Sequence, residues 1–334
     1  MINEVYSASP ARYESGMKYR RCGHSGIVLP ALSLGLWQNF GDTAPLSRSR
    51  DMLCYAFDHG VTHFDLANNY GPSFGSAEAS FGRIMASDLR PYRHEMFIST
   101  KAGYDMWPGT YGVGGSRKYL MTSLDESLRR MNLDYVDLFY SHRFDPDTPR
   151  EETLQTLVDV VRSGKALYVG LSNWPADEAA AAYRYLAERD VHCLLYQGRI
   201  NMLDRDRIAG GELQGAADAG TGFIAFSPLA QGLLTGRYLN GIPADSRMAE
   251  HRTLPPSRLT PDMLDKLHRL AAMASDRGQT LAQMAVAWLL SDERISSVIV
   301  GASSVAQLAD TIHAVDNTAF TAAELAEIDR IALV

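Results

Sequence analysis

Eight short apolar runs, each followed by a stretch with helical spacing of its apolar residues, constrain the fold of this 334-residue chain most strongly. Nearly continuous apolar runs are typical of parallel strands that are buried on both faces. The runs are ALSLGLW from Ala31, VTHFDLA from Val61, MFISTKA from Met96, VDLFYSH from Val136, LYVGLSN from Leu167, HCLLYQG from His192, GFIAFSP from Gly222 and SVIVGAS from Ser297. Strand and helix alternating eight times predict an α/β fold, a (β/α)8 TIM barrel.

The stretches between the runs carry helix start and stop signals. The helix after the first run is predicted to end at Gly60, and Thr148-Pro149 followed by two glutamates predicts a capped helix start. That helix is predicted to end at Ser163-Gly164-Lys165. Residues 259–278 and 280–293 predict a pair of helices before the last strand.

Three segments go beyond a minimal barrel. MKYRRCG and GIVLP, on either side of His24, predict an N-terminal β-hairpin that covers the bottom of the barrel. Long loops over Gly103 to Tyr119 and Ala230 to Pro261 follow the third and seventh runs, where barrels build substrate pockets. With no candidate linker, residues 17–334 are predicted to be one domain, preceded by a polar arm over residues 1–16 that is loose or packs late.

Charge, apolar run length and cysteine content argue against several classes of protein. A formal net charge of −7 argues against nucleic acid, and apolar runs of five to seven residues are too short to span a membrane. The first sixteen residues lack the basic and apolar segments of a signal peptide. Three widely separated cysteines (Cys22, Cys54 and Cys193) argue against a disulfide framework and against a zinc site. We therefore expect a cytoplasmic protein that holds no metal.

Four ionisable residues stand at or just after the C-terminal ends of neighbouring predicted strands. Asp65 closes the second strand and Tyr70 follows five residues later, while Lys101 and His142 close the third and fourth strands. The C-terminal face is where barrels carry out chemistry. Any one of these residues alone is explained equally well by an ordinary ion pair or a strand-end hydrogen bond, so the prediction depends on the four together.

Each of the four residue types has a role in carbonyl reduction. The carbonyl oxygen needs a proton when hydride reaches its carbon, and a tyrosine hydroxyl can donate one. A neighbouring lysine cation is expected to lower the pKa of Tyr70, and an aspartate would fix that lysine. The histidine can orient the carbonyl or assist proton transfer.

These motifs resemble those of the aldo-keto reductases. Phe64-Asp65-Leu66-Ala67-Asn68-Asn69-Tyr70-Gly71 with Gly75-Ser76-Ala77-Glu78 is similar to a signature of that family, as are Ser99-Thr100-Lys101 and Ser141-His142-Arg143. The resemblance runs from about Met17 to Ile331 and is strongest to the subfamily of bacterial L-glyceraldehyde 3-phosphate reductases and potassium channel β subunits. It implies NADP(H)-dependent aldehyde reduction on a hairpin-capped barrel, with Asp65, Tyr70, Lys101 and His142 as the catalytic tetrad. It also implies a homo-oligomer, a tetramer or an octamer.

The resemblance supplies the cofactor site, since the chain has neither GxGxxG after its first strand nor a complete P-loop motif. Asp65 and nineteen further residues at strand ends and in loops are implied contacts: Trp37, Gln38, Ser172, Asn173, Gln197, Phe226, Ser227, Pro228, Leu229, Gln231, Gly232, Leu234, Arg237, Arg247, Gly301, Ser303, Gln307, and the adenine-side pair Asp310 and Thr311. The pair departs from the Glu-Asn of the channel subunits. The arginines favour NADPH over NADH because a guanidinium binds a 2′-phosphate in a bidentate manner, and the helix after Ser303 offers free N–H groups.

The substrate pocket is predicted at the open end of the barrel. Its candidate contacts are Trp37, Tyr70, Tyr104, Trp107, His142 and Arg143, with Trp174 as a further wall residue. Core packing explains Tyr104, Trp174 and Phe226 as well, and a surface ion pair explains Arg143 as well as a substrate phosphate does. The resemblance implies a small aldehyde, which includes a phosphorylated triose or methylglyoxal.

The sequence leaves two alternative hypotheses for the function. A cofactor-sensing regulatory subunit of the channel β type would share the fold, although only about sixteen residues precede the hairpin here. A metal-dependent barrel hydrolase would need several more strand-end ligands than His63 and Asp65, which lie two residues apart and face the same side of one strand.

Overall fold

The eight apolar runs form the eight strands of a closed parallel barrel in the computed structural model, which describes residues 6–244, 246, 248–249 and 253–333. The strands are β3 (Leu32–Gly35), β4 (His63–Asp65), β5 (Phe97–Ala102), β6 (Val136–Ser141), β7 (Ala166–Ser172), β8 (Cys193–Arg199), β9 (Gly222–Phe226) and β10 (Ile295–Val300). They follow one another around the barrel in chain order, and β10 closes it by pairing with both β9 and β3. The predicted fold class is confirmed.

The predicted N-terminal hairpin consists of β1 (Tyr19–Arg21) and β2 (Val28–Pro30), which pair antiparallel. Its turn is fixed at the N-terminal end of β9, where the His24 N–H donates to the Gly220 carbonyl at 2.9 Å. At Gly23 a Cβ would lie 2.0 Å from that same carbonyl oxygen, so only glycine fits. Leu29 is buried among the residues that fill the barrel interior, and the hairpin therefore covers the bottom of the barrel.

Helices surround the barrel where helical spacing predicted them. They are α1 (Leu46–Asp58), α2 (Ser76–Ile84), α3 (Arg117–Met131), α4 (Arg150–Arg162), α5 (Ala176–Ala187), α6 (Asp206–Ala209), α7 (Glu212–Asp218), α8 (Pro261–Asp276), α9 (Leu281–Leu290), α10 (Val305–Ile312) and α11 (Ala322–Ala332). The stop at Gly60 is confirmed by its φ of +79°. Pro149 is the residue before α4 and does not lie in its first turn, a shift of one residue.

The described part of the N-terminal arm lies against α1. The Tyr6 hydroxyl and the Ser9 N–H each donate to Asp58 at 2.7 Å, and Arg12 forms an ion pair with Glu95 at 2.6 Å. The separation into an arm and a single domain stays a prediction. None of the helices within the described residues is long and apolar enough to cross a membrane.

Candidate active site

The four residues predicted at the strand ends meet at the C-terminal end of the barrel. Asp65 is the last residue of β4, Lys101 is next to last in β5, and His142 directly follows β6. Since the strands are parallel, their C-terminal ends lie at the same end of the barrel. Tyr70 follows β4 in a turn, in which its N–H donates to the carbonyl of Ala67 at 3.1 Å.

An ion pair forms the floor of the site. Lys101 is fully buried and Asp65 is 1% exposed, and Nζ lies 2.6 Å from Oδ2. Nζ also donates to the Leu66 carbonyl at 2.6 Å. The second carboxylate oxygen accepts from Ser99 Oγ at 2.7 Å and from Gln197 Nε2 at 3.1 Å. A buried charge pair needs such additional partners, since its own attraction repays little more than the cost of removing both ions from water.

Tyr70 lies between this ion pair and His142. Its ring centroid is 4.8 Å from Lys101 Nζ and 5.9 Å from the His142 ring. Removal from water raises the pKa of Tyr70 well above its ordinary value, and the negative charge of Asp65 and the nearby Tyr104 add to this. The expected lowering of this pKa by Lys101 is therefore not what the site shows, because burial, the largest cause, acts in the opposite direction. The hydroxyl is held in its protonated form.

His142 is held in its neutral form. Burial lowers its pKa well below the ordinary value, and the positive charges of Lys101 and Arg143 act in the same direction. Its Nδ1 has no hydrogen-bond partner among the described residues, although it is removed from solvent. The Tyr104 ring packs at right angles to the imidazole, with 4.7 Å between the centroids. The neutral ring can accept from or donate to a carbonyl compound in the cleft.

One cleft of about 1170 Å³ opens above the tetrad and runs to the start of α10. Three tetrad members line it directly, while Lys101 lies beneath them. The residues implied for the cofactor that line the cleft are Trp37, Gln38, Asp65, Ser172, Asn173, Gln197, Phe226, Ser227, Pro228, Leu229, Gln231, Gly232, Arg237, Gly301, Ser303, Gln307, Asp310 and Thr311. The structure therefore brings nearly the whole predicted set to one surface.

The loop after β9 is held in an unusual backbone conformation. Ser227, Ala230 and Gln231 have φ between +46° and +59°, and Gly232 has φ of +109°. Left-handed conformations at residues with a side chain are sparsely populated and often mark a functional site. Gln231 Oε1 is buried without a partner among the described residues. The amide oxygen of Gln231 is therefore a candidate contact for a ligand in the cleft.

The opposite wall of the cleft is the start of α10. Ser304 caps this helix, and its hydroxyl accepts from the Gln307 N–H at 3.3 Å. The Gln307 side chain folds back to accept from the Ser303 N–H at 3.0 Å and from its hydroxyl at 2.8 Å. Asp310 accepts from Gln283 on α9 at 2.9 Å. The predicted helix opening is confirmed, with Ser304 as its cap.

Three predicted contacts do not lie on the cleft, and one falls outside the described residues. Trp107 packs against Tyr119 at 5.3 Å in a separate, smaller cavity. The Arg143 Nε–H donates to the Gly103 carbonyl at 3.0 Å, and its guanidinium lies over Tyr104. Leu234 is fully buried. Arg247 lies outside the described residues. The candidate wall residue Trp174 is 1% exposed and donates to Ser141 Oγ at 3.1 Å, so its packing role is confirmed.

Several cleft residues were missed by sequence reasoning. Asn69 precedes Tyr70, Arg199 is the last residue of β8, and Asn201 follows that strand. Arg258 and Tyr238 line the cleft from the loop between residues 230 and 261, which the sequence assigned to the pocket only as a whole. An arginine in a predicted phosphate-side loop was the available signal for Arg258. From the loop after β5, only Tyr104 reaches the cleft.

Comparison with known proteins identifies the family that shares this arrangement. The model of the aldo/keto reductase family matches residues 31–333, which include the whole barrel and every described cleft residue. The chain belongs to the aldo/keto reductase family. It is therefore an oxidoreductase, and the resemblance of its motifs to this family is confirmed.

Two kinds of curated protein are similar to this chain. The L-glyceraldehyde 3-phosphate reductase of Escherichia coli K12 is 54% identical over 330 residues, which cover 98% of this chain and 95% of the relative. The probable voltage-gated potassium channel subunit beta of Arabidopsis thaliana is 37% identical over 306 residues, which cover 90% and 92%. A putative channel subunit beta of Schizosaccharomyces pombe is 33% identical over 93% of this chain. Both kinds of relative match the chain along nearly its whole length.

Proposed function

We propose that this protein reduces small aldehydes to alcohols with NADPH, and that Tyr70 protonates the carbonyl oxygen. The observation that carries the proposal is the tetrad at the floor of one cleft, with a buried Lys101–Asp65 pair 2.6 Å apart beneath the Tyr70 ring. Such an arrangement keeps a protonated phenol, a neutral imidazole and a fixed cation close together. These are the groups that carbonyl reduction needs.

The cleft residues fit a dinucleotide cofactor. Ser172, Asn173 and Gln197 lie at the tetrad end, where their side chains could hold a carboxamide, and Phe226 offers a ring face there. The loop after β9, with its left-handed residues, and the start of α10 line the other end, and loops and helix starts of this kind are common sites for phosphate. Bound NADPH would supply the hydride. Arg237 and Arg258 on the cleft wall favour the form that carries a 2′-phosphate.

The protein's own groups have separate tasks in the reaction. Tyr70 holds a proton on its hydroxyl, because its surroundings raise its pKa. His142 stays neutral and orients the carbonyl oxygen. Lys101 is held in place by Asp65 and the Leu66 carbonyl, so its charge can stabilise negative charge that develops on the carbonyl oxygen and on Tyr70. A fixed cation in a site shielded from water does this without costly reorganisation.

The substrate is proposed to be a small aldehyde, with L-glyceraldehyde 3-phosphate and methylglyoxal as the first candidates. Trp37, which is 42% exposed, and Tyr104 form an aromatic wall beside Tyr70 and His142 at the cleft mouth. Identity of 54% to an L-glyceraldehyde 3-phosphate reductase favours the phosphorylated triose. A cytoplasmic location is supported by three free, buried cysteines. The homo-oligomer, a tetramer or octamer, stays a prediction for sedimentation to test.

A second candidate function is a cofactor-sensing regulatory subunit with slow reductase activity. It is favoured by identity of 37% to a probable potassium channel subunit beta. The two candidates differ in turnover and in cofactor exchange. An enzyme releases oxidised cofactor and turns over repeatedly, whereas a sensor retains it.

The test is a steady-state assay with three aldehydes and both nicotinamide cofactors. We expect NADPH oxidation with glyceraldehyde 3-phosphate and methylglyoxal at a higher kcat/KM than with a neutral aromatic aldehyde, and weaker activity with NADH. Exchange of bound NADP for fresh NADPH should be faster than turnover. Tight NADPH binding without turnover of any aldehyde would instead support the regulatory subunit.

A further inference from the structure

A line of buried polar side chains runs through the barrel interior from the closing strand to the catalytic ion pair. Ser297 Oγ lies 2.6 Å from Ser33 Oγ, which lies 2.8 Å from His63 Nδ1. His63 Nε2 lies 3.0 Å from Ser99 Oγ, which lies 2.7 Å from Asp65 Oδ1. All five residues are at most 1% exposed. The proposed mechanism assigns no role to the four that precede Asp65.

The strand register brings these side chains together. Asp65 pairs with Ser99 across β4 and β5, and residues two apart on a strand face the same side. His63 therefore faces inward with Asp65, and Ser99 faces inward with Lys101. A histidine and a serine are unusual in a barrel interior, which is usually filled by branched apolar residues.

The donor and acceptor of each hydrogen bond in this line of side chains can be assigned, starting from the Asp65 carboxylate. Asp65 can only accept, and hydrogen bonds to an ionised group are roughly twice as strong as neutral ones. The single Ser99 proton is therefore directed to Asp65, which agrees with its shorter distance of 2.7 Å. Ser99 must then accept from His63, so Nε2 carries the imidazole hydrogen.

The protonation of Nδ1, the other imidazole nitrogen, follows from the charge of the ring. Burial lowers the pKa of His63 to about 4, so the ring is neutral near pH 7 and Nδ1 carries no proton. Nδ1 accepts from the Ser33 hydroxyl, and Ser33 can accept from Ser297. The Ser297 hydroxyl also has the Pro30 carbonyl at 2.7 Å, and the chain ends there. From Ser33 onward, every donor hydrogen points toward Asp65.

We infer that His63 and Ser99 are positioning residues, which fix Asp65 through a one-way hydrogen-bond chain so that its Oδ2 faces Lys101. The inference rests on the proposed function and adds two residues to it. Without the Ser99 donor, Asp65 Oδ1 keeps only the 3.1 Å bond from Gln197, and the carboxylate can rotate. Lys101 would then be held less firmly below the Tyr70 ring, by the Leu66 carbonyl without a fixed carboxylate beside it.

The first experiment locates the His63 hydrogen by long-range ¹H–¹⁵N spectroscopy of histidine-labelled protein. The His63 signals are those that disappear in His63→Gln. The proposed hydrogen-bond directions require the neutral Nε2–H tautomer of His63 in the wild type. They predict a gain of the Nδ1–H tautomer in Ser99→Ala, where Nε2 loses its acceptor. A wild-type ring in the Nδ1–H or imidazolium form would overturn the inference. This readout does not depend on reductase activity. It can therefore show that the hydrogen-bond directions are wrong even if the proposed function is right, and the reverse.

The second experiment compares turnover among matched variants. Ser99→Ala should lower kcat at least about tenfold with little change in the NADPH dissociation constant. Thr100→Val is the control, because this neighbouring buried hydroxyl donates at 2.5 Å to Glu78, on the opposite side of the strand. His63→Gln retains an amide near the Nε2 position and should keep most of kcat, whereas His63→Asn should behave like Ser99→Ala. Equal losses in Ser99→Ala and Thr100→Val would reduce the role to packing and overturn the inference.

Discussion

Replacing Lys101 by methionine tests whether the catalytic ion pair is as buried as the structure shows. Lys101 is fully buried and Asp65 is 1% exposed, so the variant leaves a carboxylate in the interior without its counter-ion. Breaking a buried pair in this way costs about 3–5 kcal/mol. Ser99 and Gln197 still donate to Asp65, which places the expected loss near the lower limit, about 3 kcal/mol. For a chain of this length, that corresponds to a decrease of about 5 °C in Tm.

The assay is urea unfolding of the ligand-free proteins, with the double variant Asp65→Asn/Lys101→Met as the decisive comparison. Removing both charges should recover at least half of the loss, because the cost lies in the unpaired charge rather than in the missing contact. Arg129→Met is the control. It breaks an exposed pair with Glu126, and such pairs contribute at most about 1 kcal/mol. A loss below about 1 kcal/mol in Lys101→Met, or a double variant no more stable than it, would show that Asp65 and Lys101 are not a buried, mutually dependent ion pair.

Two further predictions concern pH and cofactor choice. The pKa of His63 is lowered to about 4 in the folded state, whereas an unfolded histidine titrates near 6.5. The unfolded state therefore binds more protons between these values, and folding stability should fall by about 3 kcal/mol as pH falls from about 6.5 to about 4. The measurement is the pH dependence of the unfolding free energy, which should be flatter in His63→Gln; identical slopes would contradict it. Arg258→Ala should weaken NADPH binding about tenfold or more and leave NADH binding nearly unchanged; equal weakening for both in fluorescence titrations would show that Arg258 does not contact the 2′-phosphate.

The barrel could be predicted from sequence because its strands are buried on both faces. That burial produces eight continuous apolar runs, and even β4, with only three residues, is marked by the run from Val61. The catalytic tetrad could be predicted from the sequence for a related reason. A charged residue that ends an apolar strand stands at a defined end of the barrel, so Asp65, Lys101 and His142 could be placed before any geometry was known.

The positions of side chains beyond the strand ends could not be predicted in the same way. Arg143 directly follows His142, yet it turns to the Gly103 carbonyl because the neighbouring loop brings that acceptor within 3.0 Å. Trp107 turns to Tyr119 for a similar reason, since the loop after β5 places the two rings together. Such choices depend on loop backbone, which residue type and spacing do not determine.

The direction of the pKa shift of Tyr70 could not be predicted from the sequence either. A lysine nearby suggested a lowered pKa, but the direction depends on burial and on whether another group neutralises the lysine. Burial of the Tyr70 hydroxyl is the largest cause and the charge of Asp65 adds to it, and neither can be read from residue types and spacing. His63 and Asp65 were correctly predicted to face the same side of β4. Ser33 and Ser99 occupy the two His63 nitrogens, and no group of three or more candidate metal ligands occurs among the described residues.

Tyr70 is proposed to donate the proton, and single-turnover kinetics of Tyr70→Phe are the sharpest test of this role. Protein loaded with NADPH is mixed with excess glyceraldehyde 3-phosphate, and loss of cofactor fluorescence is followed in one turnover. Removing a general acid should slow this step about 10²- to 10⁴-fold, while the NADPH dissociation constant stays within about twofold because the ring remains. A Tyr70→Phe protein that oxidises NADPH within about threefold of the wild-type rate would show that Tyr70 is not the proton donor.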